Sequence, residues 1–309
     1  MQGSFAIIDL GTNTFHLLIA SREDGKTNIL LREKRAVKIG LGGINQSTIT
    51  PEAIDRALIC LHGFKATLTE WGVTRVVAMG TSALRNAVNG MEVIQKIKNE
   101  TGIEVTLISG DQEAKYIYFG VRSALELGMN TSLIMDIGGG SVEFIIGNRE
   151  NIFWKQSFEI GAQRLLELYH KHDPILMEEV DQLEDHFRRS LAPLGTAITT
   201  HSPGTLVGSS GTFDTLSEIY CFNHGIHYLT DQTETPLTID DFYEIHKELV
   251  SKNRAERLQI RGMIEMRVDM IVVASCMVKF LLDSWSFRNI RVSSYSLKEG
   301  VLAGLGERH

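Results

Sequence analysis

Leu133-Ile134-Met135-Asp136-Ile137-Gly138-Gly139-Gly140-Ser141-Val142-Glu143-Phe144-Ile145-Ile146 is the stretch whose reading decides the fold. An apolar run broken by one aspartate, three glycines, and a second apolar run spell strand, tight turn, strand. The N-terminus repeats the pattern, with Phe5 to Leu10 as first strand, Gly11-Thr12-Asn13 as turn and Thr14 to Ala20 as second strand. Asp9 matches Asp136 and Gly11 matches Gly138, both at an offset of 127 residues. A second correspondence, Gly80-Thr81-Ser82 with Gly208-Ser209-Ser210, lies at an offset of 128. Two matches at nearly one offset point to an internal duplication.

Outward from these hairpins the chain alternates strands with helices. A third strand is expected around Asn28 to Lys38, leading into the glycine-rich Gly40-Leu41-Gly42-Gly43. Thr50 and Pro51 offer an N-cap and a first helical residue, followed by Ile54, Leu58, Leu61 and Leu68 at helical spacing. Val73–Met79 and Ile103–Ile108 read as strands, Met91–Thr101 and Ser109–Leu127 as helices. In the second half, helices are expected from Asp173 towards Leu194, over Ile239–Val250, Val268–Leu282 and Leu297–Leu305, with a last strand at Asn289–Val292. The pattern predicts an α/β protein of two domains with mixed sheets, residues 1–128 and 129–309, the boundary falling near Gly128 to Ser132.

Composition narrows the function classes. The 309 residues carry 31 Lys plus Arg against 38 Asp plus Glu, a net charge of −7, so bulk electrostatics do not favour a nucleic-acid partner. Twenty-eight Gly against 5 Pro set the glycines apart from disordered linker and direct attention to the turns. Cys60, Cys221 and Cys276 are far apart, with no CxxC pairing, which implies a reducing, cytoplasmic setting without a zinc cluster. No basic-then-apolar leader opens the sequence, and Met270–Leu282 is too short for a bilayer, so no membrane partner is expected.

Glycine turns expose backbone N–H groups that form a nest for phosphate oxygens. Gly11, Thr12 and Asn13 make one such candidate; Gly138, Gly139, Gly140 and Ser141 make another. Asp9 and Asp136, at strand ends, are placed to hold a hard cation such as Mg²⁺ through water. The plainer alternative is that the glycines only make turns and the aspartates cap them. A third anion candidate is Gly208-Ser209-Ser210-Gly211-Thr212, a strand–turn–helix passage at a helix N-terminus, though such a turn also serves as simple capping. None of these is a Walker loop or a dinucleotide fingerprint.

Ile8 to His16, Gly80 to Arg85, Ile108-Ser109-Gly110-Asp111-Gln112-Glu113-Ala114, Asp136 to Glu143 and Gly208 to Thr212, taken together, resemble the exopolyphosphatase / guanosine pentaphosphate phosphatase (Ppx/GppA) family of the actin-like ATPase superfamily. The resemblance extends to Arg267-Val268-Asp269 and Lys298-Glu299-Gly300. It implies two ribonuclease-H-like domains with an interdomain cleft, the second carrying additional helices. It further implies that Glu113 is the general base, Glu143 a catalytic or metal-binding carboxylate alongside Asp9 and Asp136, and Arg85 a phosphate contact, with Ser210, Gly211 and Thr212 completing the phosphate site. Without the resemblance, Glu113 reads as a first-turn acid beside a Ser109–Gln112 capping box. His16 falls within a motif but is not counted in the site, because a strand histidine is commonly a packing residue. The chain departs from the family in having Gln112-Glu113 where two glutamates are usual, and Ser296-Leu297-Lys298 where Gly-Leu-Arg is usual. Ending at His309, it resembles the short, two-domain form.

The expected activity is Mg²⁺-dependent release of terminal phosphate from inorganic polyphosphate. Hydrolysis of guanosine pentaphosphate to the tetraphosphate is the alternative, and a homodimer is compatible with either. More distant rivals are a phosphotransferase on the same fold and a regulator that binds an alarmone or polyphosphate. Arg32, Lys34, Arg35 and Lys38, and Arg254, Arg257, Arg261 and Arg267, are candidate basic tracks for a long anionic chain, or simply solvated surface.

Overall fold

Both expected hairpins form, and each sits at the centre of its own sheet. A computed structural model describes residues 4–23, 26–227 and 232–306. Backbone contacts divide the chain into two compact units, Met1–Glu113 and Ala114–His309.

In the first unit, β1 (Ser4–Leu10) turns back through Gly11 into β2 (Thr14–Glu23), and β3 (Lys26–Ala36) extends the meander. The chain then crosses by α1 (Pro51–Glu70) to β4 (Arg75–Gly80), parallel to β1. α2 (Ser82–Asn86) and α3 (Gly90–Thr101) lead to β5 (Val105–Leu107), parallel to β4. The sheet order is β3-β2-β1-β4-β5 with only β2 running against the others, which is the ribonuclease-H-like arrangement. The signals that start α1 work as read: Thr50 Oγ1 accepts from Ala53 N at 3.3 Å, with Pro51 in the first turn. Ala53, Ala57, Leu61, Phe64 and Leu68 of α1 bury against Ile8, Leu10, Leu17 and Ile19 of the sheet.

α4 (Gly110–Ala124) carries the chain out of this unit. In the second unit the hairpin β6 (Ser132–Ile137) and β7 (Val142–Gly147) is followed by β8 (Ile152–Phe158). α5 (Ala162–Tyr169), α6 (Met177–Ser190) and α7 (Ala192–His201) precede β9 (Thr205–Ser209), which runs parallel to β6. α8 (Ser210–His224), the two-residue β10 (Glu234–Thr235), α9 (Ile239–Ser251), α10 (Arg254–Arg257), α11 (Met270–Ser284), β11 (Asn289–Ser293) and α12 (Leu297–Gly306) complete it. The order β8-β7-β6-β9-β11 repeats the first sheet, with β10 added antiparallel at the edge. α11 is buried nearly all round, packed against α5, α6, α8 and α9.

Several elements differ from the sequence expectation. The helix expected from Asp173 to Leu194 is two helices, because the chain turns at Leu191 and Pro193 opens α7. α2, α5 and β8 are additional. By backbone contacts, α4 from Ala114 onward groups with the second unit. The reason is packing: a Cβ on Gly300 would lie 1.6 Å from Tyr116 O and one on Gly120 2.1 Å from Ser296 O, so α4 and α12 touch backbone to backbone. Among the described residues no helix is long and apolar enough to cross a membrane.

Candidate functional site

The duplicated turns have the same internal geometry. Gly11 N donates to Thr14 O at 3.2 Å and Gly138 N donates to Ser141 O at 3.0 Å. A Cβ would stand 2.8 Å from Thr14 O in the first and 2.9 Å from Ser141 O in the second, so neither turn tolerates a side chain. Each turn lies where the parallel strands of its sheet end, the edge at which open α/β sheets bind ligands.

In the second unit the turn is clamped from behind by the start of α5. Gly138 O accepts from Ala162 N (2.9 Å) and Gly139 O from Gln163 N (2.9 Å). Gly140 O accepts from Gly161 N (3.1 Å) and from Arg164 Nε (2.8 Å). In a planar trans peptide the N–H points opposite to the C=O. The N–H groups of Gly139, Gly140 and Ser141 are therefore all turned away from α5, the same way as one another.

Beside the turn runs a row of polar side chains set by strand register. Ser157, Glu143, Asp136 and Ser209 are successive cross-strand partners on β8, β7, β6 and β9. Glu143, only 1% exposed, accepts from Ser157 Oγ at 2.6 Å, and Asp136 accepts from Ser209 Oγ at 2.7 Å. Glu143 is thus a buried carboxylate, not a half-exposed strand residue. Burial pushes the Asp136 carboxyl above the usual carboxylate range, against the lowering pull of the Ser209 and Ser210 hydroxyls and the Lys298 and Arg267 charges.

The third candidate, Ser210-Gly211-Thr212, forms the first turn of α8. Ser210 holds a left-handed φ of 72°, a conformation that costs a non-glycine residue on the order of 1 kcal/mol and is concentrated at functional turns. The Arg267 guanidinium packs on Gly211, where a Cβ would be 2.2 Å from Nη2. Arg267 Nε is buried without a hydrogen-bond partner. Sequence reasoning placed Arg267 in a basic track; the structure puts it at the helix N-terminus beside the charge of Asp136.

In the first unit, Asp9 stands opposite His16 on β2 and Met79 on β4. Thr81 N and Oγ1 both donate to Leu10 O at 3.4 Å, tying the end of β1 to the start of α2. Arg85, on the last turn of α2, donates from Nη1 to Glu113 Oε2 (2.9 Å) and to Ile108 O (3.0 Å). The base and the phosphate contact named by the resemblance are therefore in direct contact. The expected Ser109–Gln112 capping box is present too: Gln112 N donates to Ser109 Oγ at 3.2 Å and Ser109 N to Gln112 Oε1 at 3.0 Å. Gln112 is thus occupied in starting α4, while Glu113 is turned to Arg85.

The basic clusters do not form continuous tracks. Arg35 pairs with Glu33 and covers Phe64, on the face of β3 opposite Arg32 and Lys34. Arg257 is 1% exposed and donates to Asp173 Oδ1 (2.8 Å) and Val268 O (3.0 Å), a structural role.

For a cation, no group of three or more His, Cys, Asp or Glu forms a preassembled cage among the described residues. Asp136 and Glu143, facing each other across β6 and β7, supply two hard oxygen donors already oriented by serines. Mg²⁺ typically binds through one or two carboxylates with water and substrate phosphates, so this pair fits it.

Comparison with known proteins adds the following. The sequence model of the Ppx/GppA phosphatase family matches residues 18–309. A guanosine-5'-triphosphate,3'-diphosphate pyrophosphatase of Photobacterium profundum is 30% identical over 298 residues, covering 96% of this chain but 58% of that protein. The chain therefore spans less than two thirds of that curated relative. The crystal structure of an exopolyphosphatase from Cytophaga hutchinsonii is 47% identical, with a TM-score of 0.96 and 98% of both chains covered. That of the Ppx/GppA family member of Aquifex aeolicus is 26% identical, with a TM-score of 0.80 and 99% of both chains covered.

Proposed function

This chain belongs to the Ppx/GppA phosphatase family, and from that premise we propose that it hydrolyses the terminal phosphoanhydride bond of inorganic polyphosphate with the help of Mg²⁺. The observation that carries the reading is the nest at Gly138–Ser141, whose carbonyls are tied to α5 and whose N–H groups are turned the other way, beside the Asp136–Glu143 pair. Such a nest takes phosphate oxygens, and the α8 N-terminus with Ser210, Gly211, Thr212 and Arg267 adds positive potential for more of them. Gly11, Thr12 and Asn13 offer the equivalent turn in the first unit. Asp136 and Glu143 are the carboxylates assigned to the cation, which when bound neutralises charge on the phosphates.

Glu113 is the proposed base. Water attacks the terminal phosphorus in line, its proton passes to Glu113, and the bond to the bridging oxygen breaks. Orthophosphate and a chain shorter by one unit leave. Arg85 fixes the orientation of Glu113, and its five-donor fork has the geometry to contact phosphate as well. The resemblance to the Cytophaga hutchinsonii exopolyphosphatase favours polyphosphate as substrate. The Photobacterium profundum relative supports a second reading, removal of the 5′-terminal phosphate of guanosine pentaphosphate by the same chemistry.

Phosphate release from long polyphosphate, tripolyphosphate and guanosine pentaphosphate, with and without Mg²⁺, tests both readings. Glu113→Gln should lower kcat by about 10²–10⁴-fold while substrate still binds, the usual contribution of a positioned base. Full turnover by this variant on every substrate cleaved would remove Glu113 from the role.

A further inference from the structure

The loop after β3, with the glycine run Gly40-Leu41-Gly42-Gly43, is left unused by the chemistry above, yet it closes directly on the first phosphate turn. Val37 N and Lys38 N both donate to Asn13 O, at 3.0 and 2.9 Å, and Gly40 N donates to Thr12 O at 3.1 Å. These bonds fix the carbonyls of Thr12 and Asn13 towards the loop. By peptide planarity they fix the N–H groups of Asn13 and Thr14 in the opposite direction. Gly40 packs so closely on Thr12 that a Cβ would lie 2.5 Å from Thr12 Cγ2.

The loop is itself held from α1. Half-buried Arg56 donates from Nε to Val37 O and from Nη2 to Lys38 O, both at 2.8 Å. Between these two carbonyls lies Lys38, whose φ of 50° is left-handed and disfavoured for a residue with a Cβ. The guanidinium fork thus grips a strained peptide from one side while Asn13 O takes its N–H on the other. A lysine in place of Arg56 has one ammonium and cannot present two parallel donors in fixed geometry.

We propose that Arg56 is a positioning residue for phosphate binding: acting through Val37 and Lys38, it sets the direction of the Asn13 and Thr14 N–H groups at the Gly11–Asn13 turn. This rests on the reading that the turn binds phosphate. Arg56 acts at two removes and is given no contact with substrate.

The test pairs kinetics with amide hydrogen exchange, which needs no activity. In Arg56→Gln, exchange in segments 10–14 and 36–41 should accelerate about tenfold or more, as expected when a local element loses its tether. On tripolyphosphate, kcat/KM should fall about 10–100-fold, the cost of misplacing binding groups by up to an ångström, at a temperature where the variant remains folded. Arg56→Lys should stay impaired. Because glycine adopts the left-handed conformation freely, Arg56→Gln should cost less in a Lys38→Gly background than alone. Unchanged exchange in both segments, or an equal cost in both backgrounds, would overturn the proposal. If the wild-type protein cleaves none of the three substrates, the activity reading fails, and the exchange result decides by itself whether Arg56 holds the loop and the turn.

Discussion

Gly161→Ala probes the nest without removing any group assigned to chemistry. A Cβ at this position would stand 2.4 Å from Gly139 C and O and 2.5 Å from Gly140 C. Carbon contacts become comfortable near 3.5 Å, so the glycine turn must retreat by about 1 Å. The N···O range of a good hydrogen bond is only about 0.5 Å wide, so a shift of this size misdirects the N–H groups of Gly140 and Ser141. Misplacement on this scale costs about 10²-fold in kcat/KM. Overpacking also costs about 1–3 kcal/mol of stability, which a thermal melt would register as a drop of several degrees. The assay is steady-state phosphate release from tripolyphosphate at 25 °C, well below the measured midpoint. Gly195→Ala is the control. It lies within α7, and its added carbon meets Trp285 Cζ2 at 3.3 Å, a tight contact that asks the indole to give by a few tenths of an ångström, so it should move stability by no more than about 1 kcal/mol and leave kcat/KM unchanged. If Gly161→Ala kept wild-type kcat/KM, the turn would not be holding phosphate and the reasoning from carbonyl direction to nest would fail.

Two further outcomes concern the second unit's core and the thiols. His246 is buried against Ser275 (3.0 Å), and burial lowers its pKa from 6.5 to about 4. Between these values the unfolded chain binds a proton that the fold refuses, so the stability held above pH 6.5 declines as the pH falls towards 4, by about 3 kcal/mol in all. Urea unfolding followed from pH 7 to 4.5 should show this slope, and His246→Leu should flatten it; an unchanged slope in the variant would exclude His246. Burial pushes the Cys60 and Cys276 thiols up to about 12. Native protein should therefore react with iodoacetamide at these positions only on unfolding, and rapid labelling of either by mass spectrometry would contradict their placement.

What could be read from the sequence, and what could not, follows from how far each constraint reaches. Gly11 and Gly138 are demanded by a bond spanning three residues, so the turns, both hairpins and the duplication are legible locally. Thr50-Pro51 announces α1 for the same reason. α5 is different: Gly161-Ala162-Gln163 exists to satisfy carbonyls more than twenty residues earlier, and nothing in its own periodicity says so. β8 is hidden because Lys155, Gln156 and Ser157 interrupt its apolar character, yet Ser157 is there to hold Glu143. The serine partners of the two carboxylates emerge only once strand register is known. The break before α7 did have a local signal in Pro193, outweighed in the reading by the acidic helix preceding it.

The paired turns have one more consequence. Their backbones agree, yet the side chains flanking them do not: the aspartate of one copy faces His16 and Met79, and that of the other faces Glu143 and Ser209. Tandem copying followed by divergence leaves this signature, a scaffold inherited twice with different side chains set beside each copy. Conservation within each half should therefore fall into two classes. The glycines that shape the turns answer to the geometry shared by both copies. The residues beside them answer only to the task of their own half.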